Sequence, residues 1–188
     1  TLQSEQLQWP LTNPQYQLTA TQLAVKGTLS ELLLQLSSQF SGQDLPDTQL
    51  QLTGSWQHWQ HRATLEQLLL KTLGGEVSAS GNVLLQPALS WQLALALQNI
   101  QPGLTWQDYP GELSGQLETA GSLAADGNLQ LQLPLLQLSG QLRELPFNLD
   151  GSLSLTGMTS AEKQEQANWQ VVTPGLILSH GNNRLNVA

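Results

Sequence analysis

Leu89-Ser-Trp91-Gln-Leu93-Ala-Leu95-Ala-Leu97 alternates a large apolar residue with a small or polar one. Successive side chains of a β-strand point to opposite faces, so this segment has one greasy face and one polar or small face. The pattern returns along the chain: Leu129-Gln-Leu131-Gln-Leu133, and more briefly Leu50-Gln-Leu52 and Leu153-Ser-Leu155. Leucine is not among the residues most favoured in strands. Its repeated use marks the greasy face as the informative feature.

Working outward, turn signals interrupt these runs at short intervals. Among them are Asn13-Pro14, Leu45-Pro46-Asp47, Gly74-Gly75, Gln86-Pro87, Gln101-Pro102-Gly103, Tyr109-Pro110-Gly111, Leu145-Pro146, Pro174-Gly175 and Gly181-Asn182-Asn183. Short alternating runs between such breaks predict an all-β antiparallel meander. Asp126-Gly127 is the best tight-hairpin candidate, as a type I′ turn. One segment dissents. Residues 58–73 place Leu65, Leu69 and Leu73 four apart, with Leu68 alongside, which on its own reads as a helix capped by Gly74-Gly75. The neighbouring pattern favours a strand.

Two stretches resemble each other. Leu34–Phe40 runs through Leu45-Pro46 to Leu50–Gly54, and Leu136–Leu142 runs through Leu145-Pro146 to Leu153–Gly157. Loose repeat units at 34–54 and 136–157 predict one repetitive β-domain over 1–188, in which each unit meets only its neighbours. The chain reads as a fragment of something longer. The charged, non-alternating stretch Thr159–Ala167 reads as a surface loop.

Composition removes several function classes. Only 11% of the 188 residues are charged, against about 25% in typical soluble domains. A net charge of −8 with six basic residues argues against nucleic acid, which needs clustered Lys and Arg. Cysteine is absent, so there is no disulfide framework. No apolar run approaches the about 20 residues of a spanning helix. His58 and His61 stand three apart, but His180 is the only other histidine, and a zinc site needs three or four ligands. No Gly-x-Ser-x-Gly elbow and no phosphate-cradling loop occur. The sequence therefore predicts no catalytic residues, no metal, no cofactor and no enzyme. Trp9, Trp56, Trp59, Trp91, Trp106 and Trp169 lie in or beside the alternating runs. They suit core packing or strand-edge cover first, and an amphipathic lining is the functional alternative.

The greasy faces can pack on each other in a closed sandwich or barrel. They can also stay open as an inner surface for lipid chains, where hiding each methylene is worth about 0.8 kcal/mol. Periodicity alone leaves both readings open.

The segments Leu73–Gly81, Pro87–Trp91, Asn99–Gly103, Tyr109–Gly115, Leu138–Arg143 and His180–Val187 follow one another in a distinctive order and spacing. Together they resemble the TamB family, the translocation and assembly module inner-membrane component of the AsmA-like group in Gram-negative bacteria. The richness in glutamine departs from that pattern, on expected solvent positions. The resemblance implies an elongated, curved antiparallel β-sheet folded around a hydrophobic groove, taco-like in section. It implies a periplasmic segment of a protein anchored in the inner membrane. The implied roles are phospholipid transport between membranes and assembly of outer-membrane proteins with a TamA-like barrel partner. The expected groove lining is Leu50, Leu52, Leu89, Trp91, Leu93, Leu95, Leu97, Leu129, Leu131, Leu133, Leu153 and Leu155, in contact with phospholipid acyl chains. The alternative is a chaperone-like module that holds unfolded outer-membrane protein strands by β-augmentation. A spacer with a fully packed greasy face is a third reading. Exposed edges also favour dimerisation of the isolated fragment.

Overall fold

A computed structural model describes residues 2–9, 16–28, 30–42, 45–158 and 169–187. The chain forms one antiparallel sheet of 12 strands whose spatial order is its sequence order. The strands are β1 (Leu2–Trp9), β2 (Tyr16–Gly27), β3 (Glu31–Gly42), β4 (Leu45–Gln57), β5 (Arg62–Thr72) and β6 (Gly75–Leu84). They continue as β7 (Leu89–Ile100), β8 (Gly111–Leu123), β9 (Asn128–Leu142), β10 (Leu145–Met158), β11 (Gln170–His180) and β12 (Asn183–Val187). Among the described residues β1 and β12 do not pair with each other, so the sheet is open. At about 4.8 Å per strand, 12 strands extend over roughly 50 Å.

The meander follows from local chemistry. The Leu73–Gly74 turn has φ of 51° and 73°, the two left-handed residues of a type I′ hairpin, which match the strand twist. Gly74 is therefore a hairpin residue and not a helix cap. The Asp126-Gly127 hairpin takes a different form from the one predicted. Its loop is Ala124–Gly127, closed by Ala124 N to Asn128 O (2.9 Å) and Gly127 N to Ala124 O (3.0 Å), with only Gly127 at positive φ, 83°. The Asp126 carboxylate accepts from Asn128 N at 3.0 Å and sets that turn, as short acidic side chains do.

The helix-like leucine spacing in 58–73 also resolves. His58–Gln60 is one short 3-10 turn, and Arg62–Thr72 is strand. The β5–β6 pairing slips between Leu65 and Leu68. An extra residue in one strand shifts its phase by one, so Leu65, Leu68 and Leu70 point one way while Leu69 points the other. Similar slips occur at Leu97/Ile100 in β7 and between Thr19 and Gln22 in β2. Two more interrupt the β9–β10 and β10–β11 ladders near Gly151–Ser154. Each bulge bends its strand and raises the local twist, which curves the sheet.

The two similar stretches each fold as a hairpin, β3 into β4 and β9 into β10, with Leu45 and Leu145 opening the second strand. The stretch Thr159–Ala167, the turn at Asn13-Pro14 and the side chain of Trp9 lie outside the described residues.

Among the described residues no second layer supplies a core. Extensive contact is confined to neighbouring strands of the ladder. Among the described residues the only apolar side chains in the buried class are Ala79 and Ile100, and no large side chain is fully buried. A closed sandwich would enclose its leucines, and this sheet does not.

Candidate functional site: the leucine face

Directly paired residues of an antiparallel ladder project to the same face. Tracing that rule through the register assigns the strand residues from β2 to β12, bulge residues aside, to one of two faces. All the leucines named for the site, and Trp91, fall on one of them. Each of these side chains is half-buried.

The structure brings some of them into direct pairs. Leu131 faces Leu155, and Leu133 faces Leu153. Leu89 is joined to Leu129 through Leu123. Leu50 and Leu52 on β4 and Leu95 and Leu97 on β7 are not neighbours. They are connected by two lines of side chains that cross the strands, Leu52–Leu68–Ala79–Leu95 and Leu50–Leu70–Val77–Leu97. The second line continues through Gly115, Leu138, Leu149 and Leu178 to Leu185 at the sheet edge. Leu93 stands between Gly81 and Thr119.

Sequence reading missed Leu65, Leu68, Leu70, Leu113, Leu117, Leu136, Leu138, Leu149, Leu176 and Leu178, all on the same face. Bulges hide several of them, because an alternation broken by one residue no longer scans as alternation. Others lie beside glycines, and Gly interrupts the apolar count.

Charge is sorted completely. From β2 to β12, each Asp, Glu, Lys and Arg in the described strands is on the opposite face or in a bulge. Lys71 and Glu76, for instance, pair across β5 and β6 on the polar face, and Gln137 Nε2 donates to Asp150 Oδ2 at 2.9 Å there. A charge moved to low dielectric without a partner is costly, and among the described residues from β2 to β12 no Asp, Glu, Lys or Arg is assigned to the leucine face.

Three pairs of polar side chains on the leucine face bond to each other. Thr48 Oγ1 donates to Thr72 Oγ1 at 2.9 Å. The hydroxyls of Thr21 and Ser38 lie 2.8 Å apart, and Ser38 is buried. Trp91 Nε1 donates to Thr119 Oγ1 at 3.3 Å. No buried side-chain polar atom among the described residues lacks a partner.

Glycines sit on this face where the strands press together. A Cβ at Gly81 would stand 2.1 Å from Gln92 O, and one at Gly115 would stand 2.0 Å from Gln137 O. Across the sheet they alternate with large residues, as in Leu34–Gly54–Leu65–Gly81–Leu93.

The histidines do not converge. The His58 and His61 ring centroids are 6.0 Å apart beside the β4–β5 turn, while His180 lies at the other edge, bonded to Leu142 O at 2.9 Å. Among the described residues no group of three His, Cys, Asp or Glu could hold a metal.

Comparison with known proteins places this geometry. The family model described as "TamB, N-terminal domain" matches residues 1–188. The translocation and assembly module subunit TamB of Haemophilus influenzae is 23% identical over 167 residues, covering 88% of this chain and 12% of that protein. The chain thus spans about one-eighth of its relative. No solved structure gives a significant match.

Proposed function

The chain belongs to the TamB family, and on that premise we propose that its leucine face lines a hydrophobic groove along which phospholipid acyl chains pass between membranes. The observation that supports this reading is the half-buried leucine face, free of Asp, Glu, Lys and Arg among the described residues from β2 to β12, that continues from strand to strand. A lipid chain crossing water needs a dry surface at every step, and each exposed methylene costs about 0.8 kcal/mol. Lines of leucine that run across the strands meet that need, while the Gln/Ser face remains wetted. The work is non-covalent, with chains on the leucines and headgroups outward.

The name of the Haemophilus relative is that of a subunit of a translocation and assembly module. We place the present chain in the same setting: a periplasmic segment of an inner-membrane-anchored protein, acting with a TamA-like barrel in outer-membrane protein assembly.

A photoreactive residue at Leu93 and at Leu131 in the intact parent protein, in cells, tests the proposal. Gln92 and Gln130 on the opposite face serve as controls. The expected result is phospholipid adducts at the leucine positions only. Adducts solely to the protein's own strands would sink it.

A further inference from the structure

Three of the turns along one edge of the sheet are short: Leu73–Gly74, Arg143–Glu144 and Gly181–Asn182. A fourth turn on that edge among the described residues, 101–110 between β7 and β8, is long, and it is bolted to two of its neighbours. Gln101 N donates to Leu73 O at 2.9 Å. Leu104 Cδ1 lies 2.9 Å from where a Cβ on Gly74 would stand. On the other side Arg143 N donates to Pro110 O at 2.6 Å, and Arg143 Nε to Asp108 O at 2.7 Å. The Arg143 guanidinium lies over the Tyr109 ring, 4.7 Å from its centroid. Within the loop Trp106 N donates to Pro102 O and Tyr109 N to Trp106 O, both at 2.9 Å.

A loop so fixed nevertheless presents large side chains to solvent: Leu104 is 64% exposed, Trp106 46% and Tyr109 48%. The bracing holds an apolar and aromatic group out of the sheet. It stands at the border of the leucine face, between Ile100 and Leu113, which pair on that face.

Its chemistry selects an occupant. The indole N–H and the guanidinium only donate, and the phenol can donate. They suit an acceptor-rich anion, in a chain whose net charge is −8. Trp and Tyr combine an apolar body with a polar tip, the form that settles where hydrocarbon meets water. A phosphodiester joined to acyl chains offers both halves at once.

We propose that Trp106, Tyr109 and Arg143 form a lip that engages the phosphate and glycerol region of a phospholipid whose acyl chains lie on the leucine face. This rests on the lipid reading of that face. The stacked Arg143 is the phosphate donor and fixes the ring of Tyr109, while Trp106 packs on the glycerol esters.

The test places a photoreactive residue at Gln107, beside Trp106, and separately at Leu97, in the intact parent protein in cells, with adducts identified by mass. Intact phospholipid is expected at both sites. Arg143→Gln should cut the Gln107 adduct about tenfold, the worth of one charge-assisted hydrogen bond, and leave the Leu97 adduct unchanged. Arg143→Lys, which keeps charge but loses the planar stack, should fall between. The persisting Leu97 adduct reports that the sheet remains folded. Phospholipid at Leu97 with none at Gln107, or with a protein adduct there, overturns the lip and leaves the leucine-face reading standing. A Gln107 adduct indifferent to Arg143→Gln overturns the role of Arg143. Phospholipid at Gln107 with none at Leu97 overturns the lipid reading of the face, and the lip with it.

Discussion

The indole of Trp91 on β7 covers Gly121 on β8: a Cβ at Gly121 would come within 2.3 Å of Trp91 Cζ2. The same ring donates from Nε1 to Thr119 Oγ1, two residues along β8. The glycine therefore makes room for the aromatic, and the threonine fixes its angle. Trp169 stands in a similar relation to Gly157, with Cε3 2.2 Å from the site of a Cβ. An aromatic over a cross-strand glycine pins register.

Gly121→Ala should therefore destabilise the sheet. The added methyl meets both the indole and Gln130 O, at 2.7 Å, and overpacking of this kind costs about 1–3 kcal/mol. Urea unfolding followed by tryptophan fluorescence measures it. The double variant Gly121→Ala, Trp91→Leu should recover part of the loss, because the larger obstacle has gone.

Leu93→Asp and Leu131→Asp should abolish lipid passage, since each puts an unpaired carboxylate on a face that carries no charge. Gln92→Asp and Gln130→Asp, one residue away on the wetted face, should leave it near normal. Phospholipid exchange between membranes in cells carrying the variant proteins is the measurement. Full activity in a folded Leu93→Asp, Leu131→Asp double variant would refute the lipid path.

The register itself can be checked covalently. The chain has no cysteine, so an engineered pair has no competitor. Leu133→Cys with Leu153→Cys joins directly paired positions and should oxidise readily, because facing Cα atoms lie about 4.5–5.5 Å apart. Leu133→Cys with Ser154→Cys puts the thiols on opposite faces and should not. Mobility on non-reducing gels separates the two outcomes.

Glu144→Gly should stabilise the chain. Arg143 and Glu144 form a hairpin turn with φ of 52° and 64°, a conformation that costs a non-glycine residue about 1–2 kcal/mol. Arg143 is held there by its bonds to Asp108 O and Pro110 O. Glu144 has no such bond among the hydrogen bonds described, so glycine should raise the melting temperature, less the entropy glycine loses on folding.

Much of this was legible before any coordinates. Leu89–Leu97 and Leu129–Leu133 read directly as strands, and one residue in two belongs to the leucine face, because strand periodicity is local. Where bulges break the period, reading fails. Leu65 and Leu68 are on one face although they are three apart, and that spacing is also a helical one. The Asp126-Gly127 turn was placed correctly but given the wrong geometry, since Ala124 joins the loop and lets Asp126 keep a negative φ. Which leucines meet across strands was not legible at all. The lines Leu52–Leu68–Ala79–Leu95 and Leu50–Leu70–Val77–Leu97 depend on the register of three successive ladders, and no strand contains that information alone. The Arg143–Tyr109 stack joins residues from two different turns and left no sequence signal.

Because spatial order equals sequence order, the molecule has no unique middle. Inserting or deleting one hairpin returns the chain to the same edge, running the same way, with the leucines on the same side. It changes only the length, by two strand spacings or about 10 Å. The cross-section is thus fixed by side-chain parity and the reach by hairpin number, and each can vary without disturbing the other. Such a sheet can be assembled from one end as it is synthesised, each strand docking on the one just made. An architecture of this kind sets its length in whole hairpins, and that length is a count before it is a distance.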